Sequence, residues 1–161
     1  MSSRPTQLTA GLWAFPSRSM AYNAGVFLRD GQALLIDPGP HPDETDAITA
    51  FVAAQGATMA MIVLTHSHWD HILGPERLPR VPLVAHARYS ETTERDSDEI
   101  IRQVRRWESQ HGHSRTTPFV VPPPDKVSQR LNICIIALVK PLCFCVFAAK
   151  EGFTEWTQLL M

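Results

Sequence analysis

Three imidazoles and one carboxylate fall within the six residues His66-Ser67-His68-Trp69-Asp70-His71, directly behind Thr65 and the apolar stretch Met61-Ile62-Val63-Leu64. Imidazole and carboxylate are the donors that borderline divalent metals prefer. Hung from the end of a buried strand, they are fixed in place while an ion between them stays open to solvent and substrate. In extended backbone His66 and His68 project to the same side and can take adjacent corners of a tetrahedron. Asp70 and His71 follow where Gly74-Pro75 redirects the chain, so a second group of ligands can sit about 3.5–4 Å from the first, as in two-metal sites. The spacing therefore marks His66, His68, Asp70 and His71 as metal ligands.

The elements that must carry these residues are legible on both sides of them. Gly25 to Arg29 and Ala33 to Asp37 are β-rich runs joined through Asp30-Gly31, a hairpin signal that predicts antiparallel pairing. Pro38, Pro40 and Pro42 stiffen the connection that follows. From Asp43 to Gln55, Ile48, Phe51 and Val52 recur at helical spacing, and Gly56 supplies a C-cap. Met61 to Leu64 is a continuous apolar run, which suits a strand covered on both faces, and Leu83-Val84-Ala85 reads as the next strand. From Ser90 to about Gln110 the pattern is helical, with Ile100, Ile101, Val104 and Trp107 as its apolar stripe. Arg102, Arg105 and Arg106 alternate there with acidic residues, which predicts a solvated face rather than an anion-binding patch.

The pattern His-x-His-x-Asp-His behind an apolar strand resembles the signature of the metallo-β-lactamase-fold hydrolases. Asn23-Ala24-Gly25-Val26-Phe27-Leu28 and Ala33-Leu34-Leu35-Ile36-Asp37-Pro38-Gly39 resemble that family's opening strands, which close on an Asp-x-Gly turn. The resemblance covers roughly residues 8 to 125. It implies an α/β (α+β) fold, the αββα sandwich of that family, of which this chain would supply the N-terminal half. It implies one or two Zn²⁺ ions, with Fe or Mn as alternatives, His66 and His68 on the first ion and Asp70 and His71 on the second. A metal-bound hydroxide would attack an ester, thioester or related bond of a small molecule. Asp70 would also orient the nucleophile, and Asp37, ending its own strand, would steady a ligand from behind. Relatives draw a third histidine from a Gly-His-Thr or Gly-His-Ser turn. Gly112-His113-Ser114 offers His113 for that role, ranked below the other four because it precedes the proline-rich segment instead of following further strands. Two alternatives stand beside the hydrolase: a metal-binding fragment that is catalytically incomplete, and an iron dioxygenase-like relative.

Other positions carry less. His86 and His111 are lone histidines, read as surface or satisfied polar residues. His41 sits in the proline-rich loop near Asp37, where nothing beyond its position supports a substrate contact. Trp69 packs on a neighbouring helix or walls a pocket. Thr65 either caps the turn or is an ordinary strand residue.

The chain of 161 residues has a net charge of −1 and no basic block, which excludes an electrostatic footprint for nucleic acid. Its N-terminus, Met1-Ser2-Ser3-Arg4-Pro5, has no apolar h-region, so a cytoplasmic location is expected. After Pro122-Pro123-Pro124-Asp125 the character changes: all three lysines and all three cysteines lie in residues 126–161, against one of the twelve arginines. We therefore divide the chain into a domain at 1–125 and an atypical tail at 126–161, such as a shifted reading frame would produce. The apolar residues from Leu131 to Ala149 are interrupted by Asn132, Lys140 and Pro141, which argues against a membrane span. Cys143-Phe144-Cys145 lacks zinc-knuckle spacing and reads as free thiols. Oligomeric state is not readable from the sequence.

Overall fold

Asp30 and Gly31 both adopt positive φ, 50° and 73°, the pair of left-handed residues that a two-residue hairpin requires. The computed structural model describes residues 4–129 and the backbone of two short strands beyond them. Across that turn Asn23–Arg29 (β3) and Gln32–Ile36 (β4) pair antiparallel, with Arg29 opposite Gln32. Thr6–Thr9 (β1) and Leu12–Pro16 (β2) precede them, each antiparallel to the next strand.

The direction of pairing then changes. Pro42–Ala54 (α1) crosses over, and Thr58–Leu64 (β5) returns parallel to β4. Leu83–His86 (β6) and Lys126–Ser128 (β7) continue in parallel, completing a seven-stranded sheet in sequential order. Ile133–Ile135 (β8) and Cys145–Phe147 (β9) pair with each other in a separate two-stranded sheet. The larger sheet thus continues three residues past Asp125, whose N–H donates to the Leu83 carbonyl and whose carboxylate accepts the Leu83 N–H, each at 2.8 Å. Lys140, Lys150 and the three cysteine thiols lie outside the described residues.

Met61, Ile62, Val63 and Leu64 are all buried, as a strand covered on both faces should be. One face of the sheet, through Val26, Leu35, Ile62 and Leu64, joins a single apolar core with Ile48 and Val52 of α1. The expected helix from Ser90 to Gln110 is instead two: Tyr89–Arg95 (α3) and Ser97–His111 (α4). The break falls at Asp96, a residue type that starts helices better than it continues them, and its carbonyl accepts the Ile100 N–H at 2.9 Å to begin α4. Ile100, Val104 and Trp107 of α4 are buried in the same core, Ile101 is half-buried, and Arg102, Arg105 and Arg106 are exposed. Among the described residues no helix is long and apolar enough to cross a membrane.

One close approach locks the site end of the sheet. Trp69–Ile72 (α2) leads through Leu73 to Gly74, and a Cβ on Gly74 would overlap the Pro38 carbonyl. The chain behind the histidine motif can therefore lie against the loop after β4 only because position 74 carries no side chain.

Candidate metal centre

Parallel pairing brings the ends of β4 and β5 to one level, with Ile36 opposite Val63, so Asp37 and Thr65 leave the sheet side by side. The C-terminal edge of parallel strands is where α/β sheets place ligands. Asp37 has φ of 45°, a backbone conformation that costs a non-glycine residue about 1 kcal/mol or more and persists only where its surroundings hold it. Its N–H donates to the Val63 carbonyl at 3.0 Å. Its carboxylate accepts the Thr65 N–H at 2.8 Å, the Thr65 hydroxyl, and the His71 Nδ1–H at 2.8 Å. Thr65 is thus neither a turn cap nor an ordinary strand residue; it clamps Asp37.

These bonds dictate which nitrogen each imidazole offers. The single Thr65 hydroxyl proton goes to Asp37, so that oxygen accepts from His66 Nδ1–H at 2.8 Å. His66 and His71 therefore both spend Nδ1 on support and keep the Nε2 lone pair for a ligand, the arrangement that orients metal-binding histidines. Burial first, and the neighbouring His71 next, push His66 down to about 4, so it is neutral at pH 7. Burial also opposes charge on His71, but the hydrogen bond to Asp37 and the charges of Asp37 and Asp70 outweigh it and raise this imidazole above its ordinary range. Binding of an ion at His71 therefore competes with binding of a proton there.

Donor atoms of Asp37, His66 and His71 all lie within 4.8 Å of one another. The other residues singled out from sequence flank this group. His68 is exposed at the start of α2, its ring 4.5 Å from that of His66, and the buried Asp70 places Oδ2 3.7 Å from His71 Nε2. A cleft of about 250 Å³ opens there, between Asp37, His66, Asp70 and His71 on one side and residues 20–23 on the other. An imidazole nitrogen from each of His66 and His71, beside carboxylates, matches what a divalent ion such as Zn²⁺ takes, so the donor set fits the metal the motif implies.

The remaining histidines go elsewhere. His113 stacks on Trp107 at 4.8 Å and lies 6.0 Å from the ring of His41. His41 is wholly buried, which removes it from substrate contact, and its two nitrogens meet the Arg18 guanidinium at 2.9 Å and the Ser19 hydroxyl. His111 bonds the Trp107 carbonyl at 2.9 Å, and His86 accepts the Arg88 N–H at 3.1 Å. Trp69 packs toward α4, its ring 5.7 Å from Trp107. Tyr22 is the site neighbour that sequence reasoning missed. No motif marks it, and only the fold brings its ring to 4.5 Å from His71.

The family model of the metallo-beta-lactamase superfamily matches residues 20–132. No curated protein matches the chain. Among solved structures, a metallo beta lactamase from Hirschia baltica is 18% identical, with a TM-score of 0.51 over 81% of this chain and 52% of that one. TMB-1 is 21% identical, with a TM-score of 0.50 over 58% of this chain and 47% of that one. The DIM-1 metallo-beta-lactamase is 15% identical, with a TM-score of 0.49 over 78% and 50%. The chain spans about half the length of these structures. At such identities the likeness is one of fold.

Proposed function

Since the chain belongs to the metallo-beta-lactamase superfamily, we propose that it is a zinc-dependent hydrolase of small-molecule esters or thioesters. His66 and His68 would hold one ion, and Asp70 and His71 a second. The observation that carries this reading is the convergence of Asp37, His66 and His71, with donor atoms within 4.8 Å and both Nδ1 positions already engaged in support. When bound, such an ion supplies Lewis acidity, which makes water a nucleophile near neutral pH and favours the charge that develops on an attacked carbonyl. The protein's own groups do the rest. Asp37 holds His71 by Nδ1 and keeps its ring in one tautomer. The neutral His66 presents a lone pair without titration near pH 7. Asp70, beside the cleft, would orient the attacking water and take up its proton. The cleft admits a small molecule, and exposed His68 stands next to His66 at its margin.

A second reading is metal binding without turnover. The same convergence of donor atoms supports it, since holding an ion does not require turnover. The test is metal content by mass spectrometry together with hydrolysis of a simple thioester, on the wild type and on His68→Ala. Close to two Zn²⁺ per chain, with turnover abolished by the substitution, is the expected result. Stoichiometric metal without turnover selects the second reading, and substoichiometric metal with no turnover sinks the hydrolase. Iron in place of zinc in the isolated protein redirects the assignment to oxygen chemistry, since the same donors suit both ions.

A further inference from the structure

We infer that Tyr22 is a positioning residue for the pair Asp70 and His71, held in place by a bracket of hydrogen bonds from residues 17–19 to α1. The inference rests on the reading of Asp70 and His71 as ligands. The Tyr22 ring lies 4.5 Å from the His71 imidazole at an interplanar angle of 33°. Its hydroxyl donates to the Asp70 backbone carbonyl at 3.1 Å. One side chain therefore touches both residues.

The physical need for it follows from what Asp37 leaves free. A single hydrogen bond to His71 Nδ1 fixes one edge of the imidazole but lets the ring pivot about that bond, sweeping Nε2 through space. Two rings lie against the imidazole, His66 at 4.0 Å and Tyr22 at 4.5 Å, and together they oppose that pivot. Asp70 has a related weakness, because α2 is a single turn of four residues and so short a helix is not held by its own bonding. The phenol ties its carbonyl from outside.

Tyr22 is itself anchored, because its backbone carbonyl accepts the Ser17 N–H at 3.1 Å. Ser17 Oγ donates to Glu44 Oε1 at 3.1 Å, and the Arg18 N–H donates to the same oxygen at 2.8 Å. Arg18 also reaches Asp43 at 2.9 Å and His41 Nδ1 at 2.9 Å. Gly39 leaves room for the phenol, since a Cβ there would come within 3.1 Å of its oxygen and closer still to Glu44.

The test compares wild type, Tyr22→Phe and Tyr22→Leu in the full chain. Zn²⁺ affinity is read by competition with a chromophoric chelator and ligand geometry by the visible spectrum of the Co²⁺-substituted protein. Tyr22→Leu, which removes both contacts, should weaken Zn²⁺ by about tenfold to a hundredfold, as loss of a supporting group does, and alter the Co²⁺ spectrum. Tyr22→Phe keeps the ring and loses the hydroxyl, so its loss should be smaller, with a spectrum nearer wild type. Wild-type affinity and spectrum in both variants overturn the role of Tyr22 while leaving the metal reading intact. A wild type that binds neither ion overturns the metal reading and the Tyr22 inference with it. Should Tyr22→Leu fail to fold, Tyr22→Phe decides alone, and wild-type affinity and spectrum in that variant overturn the inference.

Discussion

Six of the seven histidines fall into two groups of three, and the two groups have opposite physics. His66, His68 and His71 gather beside two carboxylates, and two of them turn Nδ1 inward so that Nε2 remains available. His41, His111 and His113 gather around Trp107, with ring centroids 4.8–5.3 Å from it, and His41 meets the Arg18 cation. Burial, then Arg18, then His111 push His41 down to about 4. A neutral ring facing a guanidinium suits packing and repels a second cation. The density of imidazoles is the same in both places. What distinguishes them is the sign of the neighbouring charge and the direction of the free nitrogen.

The contrast between the groups breaks most visibly if histidines are removed from each in turn. His66→Ala should lower Zn²⁺ affinity by about a thousandfold or more, whereas His111→Ala should leave it unchanged, both read by chelator competition. Equal losses would erase the distinction. Trp107→Ala is the converse. It empties the centre of the aromatic group and should destabilise the fold by about 3–5 kcal/mol in urea titrations, with the affinity of the folded fraction for Zn²⁺ preserved. Asp37→Asn removes the charge behind His71 and should cost about tenfold to a hundredfold in Zn²⁺ affinity. A smaller effect reads the buried His41 by pH in the metal-free protein. As pH falls from 6.5 toward 4 the unfolded chain protonates His41 while the folded chain does not, so the unfolded state binds more protons and stability declines. His66 contributes with the same sign over the same window, whereas His71, whose imidazole is raised, contributes stability that is present below pH 6.5 and is lost as pH rises above it. His41→Gln should flatten the fall in Tm across that window, and an unchanged slope would assign the acid sensitivity elsewhere.

Much of this was readable in the residues. Asp30-Gly31 announced the β3–β4 hairpin because so few residue types accept two successive left-handed conformations. The apolar run from Met61 to Leu64 announced a strand covered on both sides, with the motif at its end. The helix break at Asp96 was not readable, because no glycine or proline stands between Ser90 and Gln110 to mark it. The partnership of Thr65 with Asp37 was hidden for another reason. It depends on the parallel register of β4 and β5, which a sequence separation of 28 residues does not encode locally.

The sequence by itself determined the His-x-His-x-Asp-His spacing and pointed to the family, since ligand chemistry is a property of residue types and a short spacing survives any fold. Only the tertiary structure decided which nitrogen each imidazole offers, that His41, His111 and His113 form an aromatic group apart, and that Tyr22 lies against His71. The reason is that a hydrogen bond or a ring contact across a long stretch of chain is fixed by strand register and packing, and these are settled by the whole core at once.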